Sequence, residues 1–421
     1  MTSVQIISIC VFVGVMALII SERTHRALAA LLGASIVIIA GVIPFSASVE
    51  AIDFNTLGVL LGMMLFVSVV KASGIFEFIA IEAAKLAKGN PWIIMISFAV
   101  ITALLSAMLD NVTTVLLIGP MTVMVCMILD LNPVPFFLVE IIFSNIGGTA
   151  TLIGDPPNIM IGSASGLSFA DFVIYNGPAV VLVSVVTLIC FRFMYGRKMH
   201  VSDEAKQKVT QLQANKSIKD MTLFKISIVM IILVAIAFML HGKLHLESSV
   251  IALSAAVIIM LVSRFNLEEA IKGVEWSTII FFLGLFIVVG AMEHTGVIGM
   301  LADLIFDVTH GNTVLTMIII LWASAILSAF LDNIPFTATV IPIILALQGA
   351  GMDVLPLWVA LSLGACLGGN GTLVGASANV VLTSMSEREG HPITFMKFFK
   401  VGFPMMILSV AVCTVYMLVI F

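Results

Sequence analysis

Charge is what this chain has least of. Only 10% of its 421 residues are Asp, Glu, Lys or Arg, where soluble domains carry about 25%. With 61% hydrophobic residues and a mean hydropathy of +1.21, the composition is that of an integral membrane protein. Its apolar runs are 17 to 25 residues long, which suits spanning helices and excludes the short alternating strands of a β-barrel. Cysteine is scarce as well. Cys10, Cys126, Cys190, Cys366 and Cys413 stand singly in apolar runs, without CxxC or a Cys/His cluster, so neither a disulfide framework nor a thiolate metal site is indicated. The seven histidines fall near predicted loops or helix ends. No P-loop occurs, which excludes a primary pump unless a separate subunit supplies the ATPase. No HExxH or Ser-His-Asp constellation supports a hydrolase, and nothing marks a nucleic-acid surface. The first run, residues 4–20, lacks a basic n-region and a cleavage site, so it reads as a span and not a removed signal.

What is present is duplicated. Residues 105–120 read LSAMLDNVTTVLLIGP and residues 327–342 read LSAFLDNIPFTATVIP, placing Asp110 and Asp332 222 residues apart. At the same offset Asp53 matches Glu275, Thr56 matches Thr278, Gly62 matches Gly284, and Ser73-Gly74 matches Thr295-Gly296. Further on the offset is 221: GGTATLIGDPPN (147–158) matches GGNGTLVGASAN (368–379). The chain therefore divides into repeat 1 (1–195), a polar linker (196–221) and repeat 2 (222–421).

Each repeat shows three spans, an amphipathic stretch, an Asp-Asn segment, an apolar run interrupted by glycines, and a closing span. The Asp-Asn segments read as re-entrant helical hairpins near 91–130 and 312–349, and the glycine-rich runs as broken helices near 134–165 and 355–385. Each repeat then crosses the membrane five times, and the odd number inverts the second against the first. The predicted fold is thus an all-α polytopic membrane protein of two inverted-topology repeats. With the linker in the cytoplasm, 18 of the 19 Lys and Arg residues fall at cytoplasmic loops or helix ends, Lys243 being the exception. Both termini are then extracytoplasmic. Inverted repeats with helices broken at matching places are the pattern of secondary transporters, with the site between the repeats.

Asp and Asn are preferred helix N-caps, but a carboxylate in hydrocarbon is costly enough to call for a function. Asp110, Asn111, Asp332 and Asn333 at the hairpin tips, with the nearby hydroxyls of Thr113, Thr114, Thr337 and Thr339, form an oxygen-rich set suited to a proton or a sodium ion. The breaks add Asn145, Gly147, Gly148, Thr149, Asp155 and Asn158 from repeat 1, and Gly369, Asn370, Gly371, Thr372 and Asn379 from repeat 2. Glycines here serve close helix packing or close approach to a ligand, and the sequence leaves both open. Asp155 has Ala376 in the other repeat, so its task is needed once. Glu140 lies one turn before Ser144, either buried and protonated or near the surface. No Lys or Arg is expected at membrane depth, which favours protons, cations or a neutral polyhydroxyl solute over a free organic anion.

LDNVTT (109–114), GGTATLIGDPPN (147–158), LDNIPFTAT (331–339) and ACLGGNGTLVGASANVV (365–381) resemble the P-protein permeases, the pink-eyed dilution branch of the ArsB/NhaD group in the ion transporter superfamily. The resemblance covers nearly the whole chain. It implies an elevator-type carrier, commonly a homodimer, with the hairpin tips at the site and no cofactor beyond a coupling proton or sodium ion. Compact relatives of this kind sit in the prokaryotic inner membrane. Asp110 and Asp332 stand where sodium–dicarboxylate relatives carry the serine of Ser-Asn-Thr, which argues against a dicarboxylate substrate. The expected function is ion-coupled efflux of arsenite or antimonite. Na+/H+ antiport, anion permeation and a passive channel are the alternatives.

Overall fold

The computed structural model describes residues 1–421 apart from 22, 197, 198 and 200, so the expected linker cations Arg197 and Lys198 lie outside the described residues. Repeat 1 comprises α1 (Ser3–Ile20), α2 (Arg26–Ile39), α3 (Phe45–Glu50), α4 (Phe54–Ala72), α5 (Ile75–Leu86), α6 (Pro91–Ser106), α7 (Asn111–Leu129), α8 (Val134–Gly148), α9 (Pro156–Ser165), α10 (Phe169–Tyr175) and α11 (Gly177–Met194). The linker carries α12 (Asp203–Thr210). Repeat 2 comprises α13 (Met221–Leu244), α14 (Ser248–Ser263), α15 (Leu267–Lys272), α16 (Trp276–His294), α17 (Val297–Thr309), α18 (Thr313–Phe330), α19 (Asn333–Gly349), α20 (Leu355–Gly368), α21 (Ser377–Arg388) and α22 (Phe395–Ile420). Eight of these helices are long and apolar enough to cross a membrane. No strand occurs among the described residues.

Local chemistry sets the ends of the repeated elements. Asn90 accepts from the amides of Trp92 and Ile93, with Pro91 in the first turn, and starts hairpin arm α6. Asn312 accepts from Leu315 N and starts its counterpart α18. The third span of each repeat ends on the glycine of the matched pairs noted above. Gly74 (φ 81°) and Gly296 (φ 77°) take the left-handed conformation that a side chain disfavours. Where the expected closing span of repeat 1 ran unbroken over 171–195, the chain bends at Asn176 between α10 and α11. The buried Asn176 side chain donates to Thr149 O (2.9 Å) and Ser362 Oγ (2.7 Å).

The helices form two packed bodies that share one continuous apolar core. In the first, the third span of each repeat packs along the second span of the other, α4 on α14 and α16 on α2. Glycine makes the approach close enough. A Cβ on Gly62 would stand 2.5 Å from the Ala252 carbonyl carbon, and one on Gly284 would stand 2.6 Å from that of Ala30. Ala30 and Ala252 are themselves 222 residues apart, so the two contacts are one contact repeated. In the second body each hairpin lies against the broken helix of its own repeat, α6 on α8 and α18 on α20. Gly147 rests on the Ala103 backbone and Gly368 on that of Ala325. Ser106 and Ser328 donate to the carbonyls of Ser144 (2.6 Å) and Ala365 (2.7 Å).

The linker departs from expectation. It docks instead of standing free in solvent: Val209 and Ala214 are buried, and the Lys206 and Ser217 backbones approach Gly89 and Gly74 too closely for any side chain there.

Candidate transport site between the hairpin tips

Asp110 and Asp332 end the turns of the two hairpins and cap the arms that follow, α7 and α19. Asp110 accepts from Thr113 N (2.7 Å) and Thr113 Oγ1 (2.5 Å); Asp332 accepts from Ile334 N (3.2 Å). Capping is therefore real at both tips, and it leaves each carboxylate within the protein. The asparagines that follow turn inward. Asn333 Nδ2 donates to both oxygens of Asp155, at 3.2 Å each. Asn111 Nδ2 donates to Asn145 Oδ1 (3.0 Å) and lies 3.4 Å from Asp155 Oδ1. Asp155, at the break between α8 and α9, thus receives an amide from both hairpins and is wholly buried.

A cavity of about 20 Å³ is enclosed at this meeting point, room for about one water-sized occupant. Asp110, Asn111, Asp155 and Asn333 line it, together with Arg26, Glu275, Thr278 and Ser377. Asp332 lines a neighbouring cavity of about 390 Å³, with Thr24, His25, Arg26 and Val380. A third cavity, of about 330 Å³, carries Asp53, Ser163, Glu293 and Pro342. A groove of about 950 Å³ between α1 and α2 is apolar apart from its rim and holds none of the buried acids.

Arg26 corrects the expectation that no cation reaches the site. Its guanidinium donates to Asp332 Oδ2 (3.1 Å), Ser377 Oγ (2.6 Å) and Thr278 Oγ1 (3.1 Å), and lies 5.4 Å from the Phe281 ring centroid. The residue opens α2 at a position read as a loop end, but its long side chain reaches inward from there. Position 248, its counterpart in repeat 2, is Ser, so the duplication gave no sign of it. Glu275 and Thr278 were visible as the copies of Asp53 and Thr56, yet their place beside the tips was not. Thr278 Oγ1 lies 3.1 Å from Glu275 Oε2.

The remaining expected site residues divide by role. The four-residue sodium shell of Asp110, Asn111, Asp332 and Asn333 is not assembled here, because the two aspartates line different cavities and Asp332 is held by Arg26. Thr337 and Thr339 donate to the carbonyls of Asn333 and Pro335, one turn back in their own helix, and Thr149 does the same to Asn145. Thr114 is buried with no partner for its hydroxyl. Gly147, Gly148, Gly369 and Gly371 press on neighbouring backbone or side chains, so packing accounts for them. Asn158 and Asn379 stitch the breaks. Asn158 donates to the carbonyls of Gly148, Thr149 and Thr151, and Asn379 to those of Gly369 and Thr372. Thr372 donates to Ala329 O at 2.5 Å. Asn145 links the two breaks by donating to Asn370 Oδ1 (2.9 Å) and Asn379 Oδ1 (3.1 Å). Glu140 is buried and hydrogen-bonded to Thr122, and it does not line the cavity.

Residues 16–364 match the profile of the citrate transporter family. The chain belongs to that family. An uncharacterized transporter of Mycobacterium bovis is 40% identical over 420 residues, covering 98% of both chains, and a 46 kDa membrane protein of Mycobacterium leprae matches equally well. The human P protein is 34% identical over 98% of this chain, which spans 59% of the P protein's length. Among solved structures, the Alcanivorax borkumensis YdaH transporter superposes with a TM-score of 0.66 over 89% of this chain and 87% of its own, at 15% identity. The fold is shared with YdaH, and the family model, the Mycobacterium bovis relative and YdaH are each described as transporters.

Proposed function

We propose that this member of the citrate transporter family is an ion-coupled secondary transporter that exports arsenite or antimonite, with protons or sodium as the coupling ion. The observation that carries this reading is the mixture of groups where the hairpin tips meet. Arg26, Asn111 and Asn333 donate there, and Asp110, Asp155 and Glu275 accept, with Asp332 bonded to Arg26 from the neighbouring cavity. A neutral trihydroxide such as As(OH)3 both donates and accepts, and suits that mixture. A free tricarboxylate would face four carboxylates against one guanidinium, with desolvation opposing it further. The cavity beside Arg26 and Asp332, about 390 Å³, is large enough for such a solute to enter.

Na+/H+ antiport is the second reading, favoured by the excess of acids over the single cation. An anion permease would need Arg26 freed from Asp332, and a passive channel would need a continuous pore. In either main reading the two bodies move against each other in elevator fashion. The bilayer is that of a prokaryotic plasma membrane, the linker is cytoplasmic, and the assembly is a homodimer. Purified protein in liposomes with a pH-sensitive dye inside tests the proposal: arsenite should change internal pH. A response to sodium or lithium with none to arsenite would move the assignment to a cation/proton antiporter.

A further inference from the structure

Arg26 bonds across the two bodies. It stands in the first turn of α2, in the body of crossed spans, beside Thr278 of α16. Its other partners, Asp332 and Ser377, belong to the hairpin body. Asp110, Asn111, Glu275 and Thr278 have counterparts in the other repeat, whereas this arginine, like Asp155, has none. Position 248 is Ser, position 156, the counterpart of Ser377, is Pro, and Asp110 turns its oxygens to Thr113. No described Lys or Arg bonds to Asp110.

In a transporter of inverted repeats, the alternate state follows when each repeat adopts the arrangement of the other. Asp332 would then leave Arg26 for surroundings like those of Asp110, whose oxygens bond Thr113 and no described Lys or Arg, although Arg26 lines the same cavity. A carboxylate left without its partner at this depth is strongly unfavourable. We propose that Arg26 is a coupling residue, an internal counter-ion that holds Asp332 in the arrangement seen here until a transported cation replaces it. An empty carrier then stays put, and only a loaded one changes state. Glu275, hydrogen-bonded to Thr278, is the acid placed to receive the released guanidinium. This inference rests on the alternating-access reading given above, and it concerns how that movement is gated.

The test reads the state of the protein without reference to the solute. In a chain with Cys10 and Cys190 changed to Ala, Val380→Cys reports on the cavity beside Arg26, and Leu345→Cys on the cavity that holds Asp53. Reconstituted protein is labelled from each side with a membrane-impermeant maleimide, without coupling ions. Arg26→Gln should raise labelling at 345 relative to 380 by about tenfold, the scale of a coupled partly buried pair. Arg26→Lys should restore most of the original ratio. Asp332→Asn should shift it as Arg26→Gln does, and the double variant should go no further. An unchanged ratio in Arg26→Gln, or a double variant whose effect is the product of the two singles, overturns the inference. Shifted labelling in a protein that moves no solute would keep the inference and sink the transport reading; solute flux with unshifted labelling would do the reverse.

Discussion

Asn333, on the second hairpin, donates its side-chain amide to both oxygens of Asp155, on the broken helix of the first repeat. With Asn111 arriving from the other hairpin, this carboxylate ties the two inverted halves together. Asp155→Ala removes the acceptor and leaves the buried Asn333 amide unpaired, at about 1–3 kcal/mol, while Asn111 keeps its bond to Asn145. Transport should be lost and the thermal midpoint should fall. Asp155→Asn keeps the shape, so its midpoint should fall less while transport is still lost. Thermal melts in detergent alongside flux in liposomes separate the two effects, and full flux in Asp155→Asn would remove this residue from the site.

The crossed spans make a prediction about packing alone. A Cβ at Gly62 or Gly284 would stand within 2.6 Å of the facing backbone. Gly62→Val and Gly284→Val should each cost about 1–3 kcal/mol by overpacking. Because the two contacts are copies, the costs should be similar. The thermal midpoint of each variant checks this.

Glu140 separates burial from function. Its carboxyl is buried beside Thr122 and one of its oxygens has no partner, with no described cation bonded to it. A charge buried there without a cation would be costly. Glu140→Gln should therefore keep flux within about twofold and leave the midpoint unchanged or higher, since it preserves the bond to Thr122. Loss of flux with an intact fold would bring Glu140 into the coupling path.

Topology has its own check. Lys208 is exposed on the linker helix α12, which we propose to be cytoplasmic from the distribution of Lys and Arg. Lys208→Cys should react with a membrane-impermeant maleimide only from that side. Labelling from outside would reverse the orientation of both repeats.

Duplication decides what could be read from the residues alone. The hairpins, the broken helices and the Gly62–Gly284 pair were legible because each occurs twice, at one offset and against an apolar background. The asparagines of the tips were legible for the same reason, although a sequence does not say that Asn111 and Asn333 converge on Asp155. Arg26 was hidden because it occurs once, at a helix start, and is defined by partners some 250 to 350 positions away. For the glycines of the breaks the sequence left packing and ligand approach both open. They recur at matched positions because two breaks must be packed and stitched, and those needs alone account for most of their contacts. The linker docks through Gly74 and Gly89, whose contact with it is long-range and leaves no local pattern.

One experiment bears on the whole assignment: internal pH of proteoliposomes carrying wild-type protein or Asp332→Asn, recorded while arsenite, sodium, lithium and potassium are added in turn. Wild-type protein should give a proton flux with arsenite, and Asp332→Asn, folded and inserted, should give none. Equal fluxes from both proteins, or conductance without any coupled proton or sodium movement, would contradict a carrier whose coupling runs through the hairpin tips.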